Sequence, residues 1–537
     1  MRVTNNMIMT KANTNINGTK VIVDKENTQM TTQKKIDRPS EDPVVAVRSL
    51  RLATQLAKID QYYEKNIPDA ESWMDVTESA LKNMKEIIKD VHSLSVQGSN
   101  DPLTQTDRNT ILSQLKALQQ ELYSEGNADY AGRTVFTGYR TNKTLTFMTD
   151  EKKTSYNVEQ SFKVSDAMEK FRYFSNEVQI PSTETQVQTA DIAKMEESDY
   201  TRIRMGYNDI TSVFSGSVDA NGNYVYKAAP ITGDTFDIHV IGTDPADPTG
   251  ATKINTTQSV KVYETEADWL EDTKTKDSNK KNLGEDDVIF VKETGELIFG
   301  DNIAATLKSQ NATLTMQYNK TGFSNGELRP EYYYNCTDVT DEKNPIRYDK
   351  YDAKGEKVTY EINYTIAANQ DLAVNIEADE VFDTAMYQDI QDMIDAVSRA
   401  INAHDKIDKL TKMKEDDQFA SALDQSRLQE WLEAAQREAD YADNHMSKVY
   451  NENIGRSDAY AETISLATTK LGCKADQLLM TKKRMSDQQE TVQELQSSND
   501  DVDLSDIVLK YTAAYTAYQS SLTAAGRLGS VNLLNYI

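Results

Sequence analysis

A regular repeat of apolar and small residues occupies the C-terminal stretch from Asp503 to Ile537, and it limits how this chain can fold. The steps between its members alternate between four and three positions, which is typical of the contact face of a coiled coil. A helix with such a face needs a partner helix, so the sequence predicts an assembly helix over residues 503–537. We call the repeat the C-terminal seam, and its members are Leu504, Val508, Tyr511, Tyr515, Tyr518, Leu522, Ala525 and Gly529.

The opposite end of the chain, residues 1–40, is polar and has few apolar residues. The run from Asn13 to Gly18 has poor helix propensity. A polar segment of this kind becomes helical mainly when a partner packs against it. We therefore expect an N-terminal assembly segment that is mostly disordered by itself. Its predicted assembly residues are Val3, Met7, Ile16, Val23 and Met30.

Long helical patterns follow this segment. Asp42 can cap a helix, and Pro43 suits the first helical position. Pro68 interrupts the pattern, because proline lacks an N–H group and clashes with the preceding turn. We expect a kink or break near Ile67, beyond which the apolar spacing resumes. The predicted stem core consists of Leu56, Ile59, Tyr63, Ala70, Trp73, Met84, Ile87, Val91 and Leu94.

A further helix is predicted from about Thr106, and the stretch 130–139 predicts a short β-hairpin because its glycines fall where tight turns need them. Between about 140 and 380 the pattern changes to short β-type runs separated by turn residues. Helical patterns return beyond Phe382. The predicted strands are in 218–226, 236–241, 288–291, 297–299 and 358–366, and the later helices cover 390–401, 428–439 and a long stretch from about 458.

These patterns predict an α+β multidomain protein in which a long α-helical coiled-coil stem, built from both terminal arms, carries a β-rich inserted outer region. Two arms that are distant in sequence, each with an incomplete apolar face, most simply pack together as one stem. The predicted segments are 1–40 for N-terminal assembly, 41–140 for the first arm with its hairpin, 141–380 for the insert, 381–502 for the second arm and 503–537 for the assembly helix.

Composition excludes several classes of partner. The chain has 59 Lys and Arg against 86 Asp and Glu, a net charge of -27, which argues against nucleic acid and anionic membranes because both need a basic face. No apolar run approaches the ~20 residues of a membrane span, and the N-terminus lacks the apolar core of a secretory signal. The expected location is cytosolic unless export leaves no cleavable signal. Cys336 and Cys473 are expected to be buried and inert.

The sequence contains no recognisable catalytic or ligand-binding constellation. Its four histidines, His92, His239, His404 and His445, lie in different segments and do not pair at the spacing of metal ligands. No phosphate-binding glycine loop, nucleophile elbow or CxxC motif occurs. We therefore predict a protein that is not an enzyme, with no catalytic, metal-binding or cofactor-binding residues and no cofactor.

The two ends of the chain together resemble the bacterial flagellin family. The resemblance covers roughly residues 1–145 and 455–537, and the middle is not covered. At the N-terminal end it rests on Met1–Met7, Ile36–Pro43, Asn66, Ala70, Ser72–Met74, Thr77–Leu81 and Gly132–Tyr139. At the C-terminal end it rests on Asp487, Glu494–Leu495, Asp501–Leu504, Tyr518, Leu522 and Leu533–Ile537.

The resemblance, which is most specific to the family members that join hook and filament, implies a structural role in the bacterial flagellum, outside the cell. It implies that both terminal segments are unfolded in the free monomer, pass through a narrow export channel without a cleaved signal, and form coiled coils on assembly. The implied partners are other copies of the chain in a ring, a neighbouring hook-associated protein, flagellin and an export chaperone.

Three alternatives remain open from the sequence. The chain could be a filament flagellin of the same family. Its insert could be an adhesin or carbohydrate-binding module, for which Tyr332, Tyr333 and Tyr334 are the only indication. The insert could also carry an enzyme, although no motif supports this.

Overall fold

The structure, a computed structural model, describes residues 5–100, 103–173, 178–192, 197–218, 224–244, 253–269, 283–352 and 355–530. A π-helical turn, Gln61–Asn66, connects its second and third helices. The helices with both ends in these residues are α1 (Asn5–Thr32), α2 (Pro43–Asp60), α3 (Ile67–Ser99), α4 (Gln105–Glu121), α5 (Glu184–Thr189), α6 (Asp301–Ser309), α7 (Ala385–Glu415), α8 (Ala422–Asp500) and α9 (Leu504–Ser530).

The strands concentrate in the middle of the chain. They are β1 (Asp129–Tyr130), β2 (Arg133–Thr134), β3 (Glu151–Lys163), β4 (Met168–Tyr173), β5 (Glu197–Arg204), β6 (Ile210–Phe214), β7 (Gly216–Val218), β8 (Tyr224–Tyr226), β9 (Thr235–Thr243), β10 (Lys253–Tyr263), β11 (Val288–Val291), β12 (Glu296–Phe299), β13 (Thr313–Phe323), β14 (Asn335–Asp338), β15 (Ile346–Tyr348), β16 (Asn363–Ala367) and β17 (Gln370–Ala373).

The chain divides into two compact units, and each combines sequence from both halves. Unit 1 consists of Met1–Glu71, Asn363–Ala373 and Lys474–Ile537. Unit 2 consists of Ser72–Ile362 and Val374–Cys473. The mixture of long terminal helices with a β-rich middle confirms the predicted fold class at that level. The finer division into five segments stays a prediction.

Unit 1 contains α1, α2, α9 and the C-terminal part of α8. A main-chain joint connects the end of α1 to the start of α9: the Lys35 N–H donates to the Asp500 carbonyl (2.7 Å), and the Val502 N–H donates to the Gln33 carbonyl (3.0 Å). The two helices pack side by side from this joint and therefore run antiparallel. The structure has both terminal segments as helices, so it gives no support to their expected disorder in the free chain.

Pro68 does not break the helix. The π-helical turn comes directly before it, and there the Ile67 N–H donates to the carbonyl of Tyr62, five residues back. This wider turn accommodates the proline ring, which would clash with the preceding turn of a regular α-helix. The predicted interruption is therefore a local change of winding inside one helical run.

The β16–β17 hairpin is held against this turn. Asn66 donates an amide hydrogen bond to the Thr365 carbonyl (2.8 Å), and the Tyr364 hydroxyl donates to the Asp69 carboxylate. The predicted strand over 358–366 is thus wrong in its bounds, because regular strand begins only at Asn363. That hairpin belongs to unit 1.

Unit 2 is organised around an eleven-stranded sheet with the order β15-β14-β3-β13-β9-β10-β11-β12-β5-β4, in which β6 also pairs with β13. All neighbours are antiparallel except β10 and β11. One face of the sheet is covered by a large apolar core that includes Val158, Phe236, Phe290, Leu314 and Tyr318. The predicted strands 236–241, 288–291 and 297–299 are confirmed as β9, β11 and β12.

The two predicted hairpins of unit 2 are also present. β1 pairs with β2 across a turn in which Ala131 and Gly132 have positive φ, as a tight hairpin turn requires. This hairpin is shorter than the predicted stretch 130–139. β7 pairs with β8, and the Asn-Gly turn between them lies outside the described residues.

Helix α8 corrects another expectation. The sequence predicted a helix over 428–439 and a separate long helix from about 458, but the structure has one helix, Ala422–Asp500. Buried residues continue at intervals of three and four through the intervening stretch, where Asn453 and Ser457 take core positions. The apolar pattern was interrupted because these two core residues are polar.

A buried ion network ties the sheet of unit 2 to α7. The guanidinium of Arg204 on β5 contacts Asp389 and, at 3.0 Å, Asp392, both on α7. The neighbouring Arg202 guanidinium contacts Asp392 and Glu296. Burial alone would raise the pKa of Asp392, but the Arg202 and Arg204 guanidiniums outweigh burial and hold that pKa well below its usual range. Burial would also raise the pKa of Glu296, yet Arg202 and then Lys170 lower it to about 2.

Removing one cation from this network should be strongly destabilising. We expect Arg202→Met to lower the free energy of unfolding by about 3–5 kcal/mol, because two buried carboxylates, Asp392 and Glu296, each lose one of their two cationic partners. Lys82→Met removes an exposed i,i+4 pair with Glu78 and should change stability by no more than about 0.5 kcal/mol. Denaturant unfolding of both variants measures the difference.

The same experiment has a pH signature. The depressed pKa of Glu296 contributes to the free energy of unfolding. This contribution is fully present above pH 4.5, the ordinary pKa of a glutamate, and is lost as the pH falls towards 2. Arg202→Met should lose most of this dependence. Equal destabilisation by the two variants would contradict the assigned role of the network.

Candidate assembly surface

The inner face of the α1–α9 pair is only partly covered. On α9, Ile507 is buried and Tyr511, Tyr518 and Ala525 are half-buried. On α1, no described side chain is fully buried. The half-buried residues of α1 follow steps of four and three, as expected for helix packing, and include Ala12, Ile16, Val23 and Met30.

The C-terminal seam divides into two edges in the single chain. Tyr511, Tyr518 and Ala525 lie on the half-buried edge. The burial of Gly529 is not among the features that the structure describes. The remaining members form an exposed edge, with exposed fractions of 54% for Leu504, 44% for Val508, 43% for Tyr515 and 45% for Leu522. The apolar stripe of α9 is therefore wider than α1 alone covers.

The predicted N-terminal residues are divided in the same way. Ile16, Val23 and Met30 are half-buried, whereas Met7 is exposed. Val3 lies outside the described residues. Met9, which belongs to the apolar spacing of this segment in the sequence, is also exposed. Sequence reasoning missed three further exposed apolar residues of α1, because they do not follow the spacing of three and four; these are Ile8, Val21 and Ile22.

Helix α2 adds a third exposed apolar row. Val44, Val47 and Leu50 lie three positions apart on one side of α2 and are 53–76% exposed. Their even spacing was a signal that could have identified them. The predicted stem core residues, in contrast, are covered. Leu56 and Tyr63 are half-buried. The fully buried members are Ile59, Ala70, Trp73, Met84, Ile87, Val91 and Leu94.

Exposed apolar surface is concentrated in unit 1. Sixteen of the twenty-six large apolar side chains exposed among the described residues lie there, although unit 1 is much the smaller unit. Exposed apolar residues scattered singly are normal, but a concentration on neighbouring helices is typical of a protein–protein contact. We call the exposed apolar residues of α1, α2 and α9 the assembly surface.

Polar contacts fix the joint at the base of α1 and α9. The Lys34 ammonium pairs with the Asp501 carboxylate, which also accepts a hydrogen bond from the Ser497 hydroxyl (2.6 Å). The hydrogen bond from Lys34 is the main cause of a lowered pKa of Asp501. The Asp503 carboxylate caps α9 by accepting from the Ser505 N–H (2.8 Å), which lowers its pKa. These contacts set where both helices begin and end.

The remaining residues singled out in the sequence are dispersed. The Nε2 atom of His92 lies 3.4 Å from the Asp458 carboxylate, and that of His404 lies 2.9 Å from the Asp443 carboxylate. The Nε2 atom of His239 lies 2.6 Å from the side-chain oxygen of Asn255. Burial lowers the pKa of His445 to about 4. No grouping of three or more potential metal ligands occurs in the described part of the chain. The helices described there include none long and apolar enough to cross a membrane.

Two expectations about individual residues need correction. Cys336 is buried as expected, but Cys473 is exposed, because it lies on the outer side of α8. Tyr332 and Tyr333 are buried and Tyr334 is half-buried, so these tyrosines form no exposed aromatic platform. The adhesin alternative thereby loses the only observation on which it rested.

Comparison with known proteins identifies the class of the N-terminal region. Residues 3–141 match the model of the bacterial flagellin N-terminal helical region. This part of the chain contains α1, α2, α3 and α4, including two of the three helices that carry the assembly surface. The resemblance to the flagellin family is therefore confirmed for this region.

Two individual relatives that match this chain are the same type of protein. Flagellar hook-associated protein 3 of Escherichia coli (strain K12) is 30% identical over 114 residues, which are 21% of this chain and 36% of the relative. Flagellar hook-associated protein 3 of Salmonella typhimurium is 29% identical over 114 residues, with the same coverage. The chain thus spans about a third of the length of the curated relatives it matches.

A solved structure of a flagellar protein matches more of the chain, but at lower identity. The flagellar junction protein FlgL from Legionella pneumophila is 12% identical, and the match covers 85% of this chain and 100% of that chain. Its TM-score is 0.27, too low to indicate a shared arrangement of domains.

The exposed row on α2 should promote self-association. We expect the triple substitution of Val44, Val47 and Leu50 by Ser to reduce concentration-dependent association of the full chain in sedimentation velocity, because it removes apolar surface that a second molecule can cover. A matched triple substitution of Val96, Val225 and Leu423, which are exposed singly in unit 2, should leave association unchanged. If both triple substitutions reduce association equally, the exposed row of α2 is not a specific contact surface.

Proposed function

We propose that this chain is a structural protein of the bacterial flagellum that joins the hook to the filament, with its terminal helices as the elements of self-assembly. The observation that carries the proposal is the assembly surface: terminal helices whose apolar faces stay largely uncovered in a single chain. The flagellin-type match over residues 3–141 and the relatives named flagellar hook-associated protein 3 support the specific role.

The energetics favour terminal segments that become ordered on assembly. Fixing one residue costs about 1–2 kcal/mol of backbone entropy, and burial of apolar surface must offset this cost. In the described residues of α1 and α9, only Ile507 is fully buried. We infer that the pair is marginal in the free monomer and becomes a stable coiled coil when neighbouring subunits cover the exposed edge.

This behaviour fits the remaining parts of the proposal. Segments without stable structure can pass an export channel without a cleaved signal, and they would then fold outside the cell. The partners would be copies of the same chain in a ring, a neighbouring hook-associated protein on one side and flagellin on the other. An export chaperone that covers the terminal segments before assembly would prevent premature association.

Filament flagellin is the second candidate within this class, since the match to its N-terminal region is also a match to that family. The two candidates differ in where the subunit resides. A junction protein occupies one short zone at the end of the hook, whereas a filament protein occupies the whole length of the filament. Electron microscopy of a labelled subunit distinguishes them directly.

The exposed edge of α9 provides a sharp test. We expect Tyr515→Asp to abolish incorporation into the flagellum and motility, because a charge would be buried between subunits, while the purified chain remains folded. Thr516→Asp introduces the same charge at the adjacent exposed position, which is not a member of the seam, and should be incorporated. Immunogold labelling of the cell-borne appendages measures both; normal incorporation of Tyr515→Asp would mean that this edge is not a subunit contact.

Amide hydrogen exchange tests the ordering of the terminal segments. We expect fast exchange over residues 5–32 and 504–530 in the free monomer and protection of both in the assembled state, because Ile507 is the only fully buried apolar side chain in the described residues of α1 and α9 until neighbours are present. The buried part of α8 between Met446 and Leu471 is the internal control and should be protected in both states. Equal protection of α1 and α9 before and after assembly would show that the pair is stable by itself.

A further inference from the structure

A wide polar groove of about 870 Å³ crosses one face of the unit 2 sheet. Its floor consists of outward-facing residues of β3 and β13, which alternate with the residues that enter the apolar core. The segment that follows β8 lies along one side, and residues of β14, β15 and their connection lie along the other. A volume of this size is in the range of small-molecule binding sites, about 300–1,000 Å³.

The floor presents amide groups in fixed orientations. Asn157 on β3 lies opposite Asn319 on β13, and its Nδ2 donates to Asn319 Oδ1 (2.8 Å). The Gln317 amide in turn donates to Asn157 Oδ1. Within the described residues, the side-chain N–H groups of Asn319 and the side-chain oxygen of Gln317 form no recorded hydrogen bond to the protein. The floor therefore offers donors and acceptors that are already held in place.

One side of the groove is aromatic. Tyr226 lines it and is half-buried, and its hydroxyl oxygen is fully buried. A ligand in the groove can therefore contact the ring of Tyr226 but not its hydroxyl. Phe214, opposite Gln317 in the strand register, lines the same groove. Together they form an aromatic side next to the amide floor.

The charges of the groove are mixed in sign. Lys153, Lys227 and Arg347 are matched against Glu159 and Glu342, and the Arg347 guanidinium lies 3.8 Å from the Glu159 carboxylate. Such an arrangement produces no strong field of one sign, which disfavours phosphate-rich and sulfated ligands. It suits a neutral ligand that carries many hydroxyl groups.

We propose that this groove binds a neutral oligosaccharide, with the amides of Asn157, Gln317 and Asn319 forming hydrogen bonds to its hydroxyl groups and Tyr226 contacting a sugar ring. Planar amides and an aromatic side chain supply the two kinds of contact that a sugar needs, directional hydrogen bonds and an apolar face. The site is separate from the buried Tyr332–Tyr334 stretch and from the assembly surface of unit 1. It adds a binding activity to the structural role.

The test uses the purified full chain on an array of immobilised neutral oligosaccharides of glucose, galactose, mannose and N-acetylglucosamine, with sialylated and sulfated glycans in parallel. Binding to at least one neutral glycan is expected, and the affinity for it is then measured by calorimetry. Asn319→Ala should weaken that binding at least tenfold, and Tyr226→Leu, which removes the aromatic ring but keeps an apolar side chain, should weaken it several-fold. Thr257→Ala, at an exposed position of β10 outside the groove, should bind as the unchanged chain does.

Thermal unfolding shows whether each variant remains folded, and if Asn319→Ala does not, Tyr226→Leu decides the result. Absence of glycan binding overturns the proposal, as does binding of charged glycans only or undiminished binding by both groove variants. Because the groove variants leave unit 1 unchanged, they should still be incorporated into the flagellum, so a failure here is distinguishable from a failure of the junction role.

Discussion

Unit 1 depends on contacts between residues more than 400 positions apart in the chain. The end of α1 is joined to the start of α9 by main-chain hydrogen bonds between residues 33–35 and 500–502. Neither helix can bury its apolar face alone, and the loop that must close before they meet contains the whole of unit 2. Helix α9 also has a second apolar edge, which α1 does not cover. We propose that self-assembly covers it.

In unit 2, a large sheet is anchored to a long helix by buried ion pairs. The buried network of Arg202 and Arg204 with Asp389 and Asp392 fixes the position of β5 on α7. Buried ion pairs contribute little net stability relative to apolar packing, but breaking one is costly. Another placement of the sheet would bury these charges without partners and would therefore be unfavourable.

Local patterns predicted most elements correctly and failed where a tertiary contact replaced a local rule. Where the sequence predicted a break at Pro68, the structure has a π-helical turn. Asn66 in this turn donates a hydrogen bond to the β16–β17 hairpin. The continuity of α8 was missed because Asn453 and Ser457 occupy core positions. For the assembly surface, the spacing identified the stripe of α9 but could not show which edge α1 covers, since burial depends on the partner and not on the helix that carries the stripe.

The sequence by itself determined the helical ends, the β-rich middle and the C-terminal seam, because periodicity and turn residues act over short distances along the chain. Only the tertiary structure decided that each unit mixes both halves of the chain, that Tyr332 and Tyr333 are buried, and that a polar groove lies across β3 and β13. Those features arise from strand order and from contacts between distant residues. No local pattern specifies them, since the groove exists only where β3, β13 and β14 become neighbours.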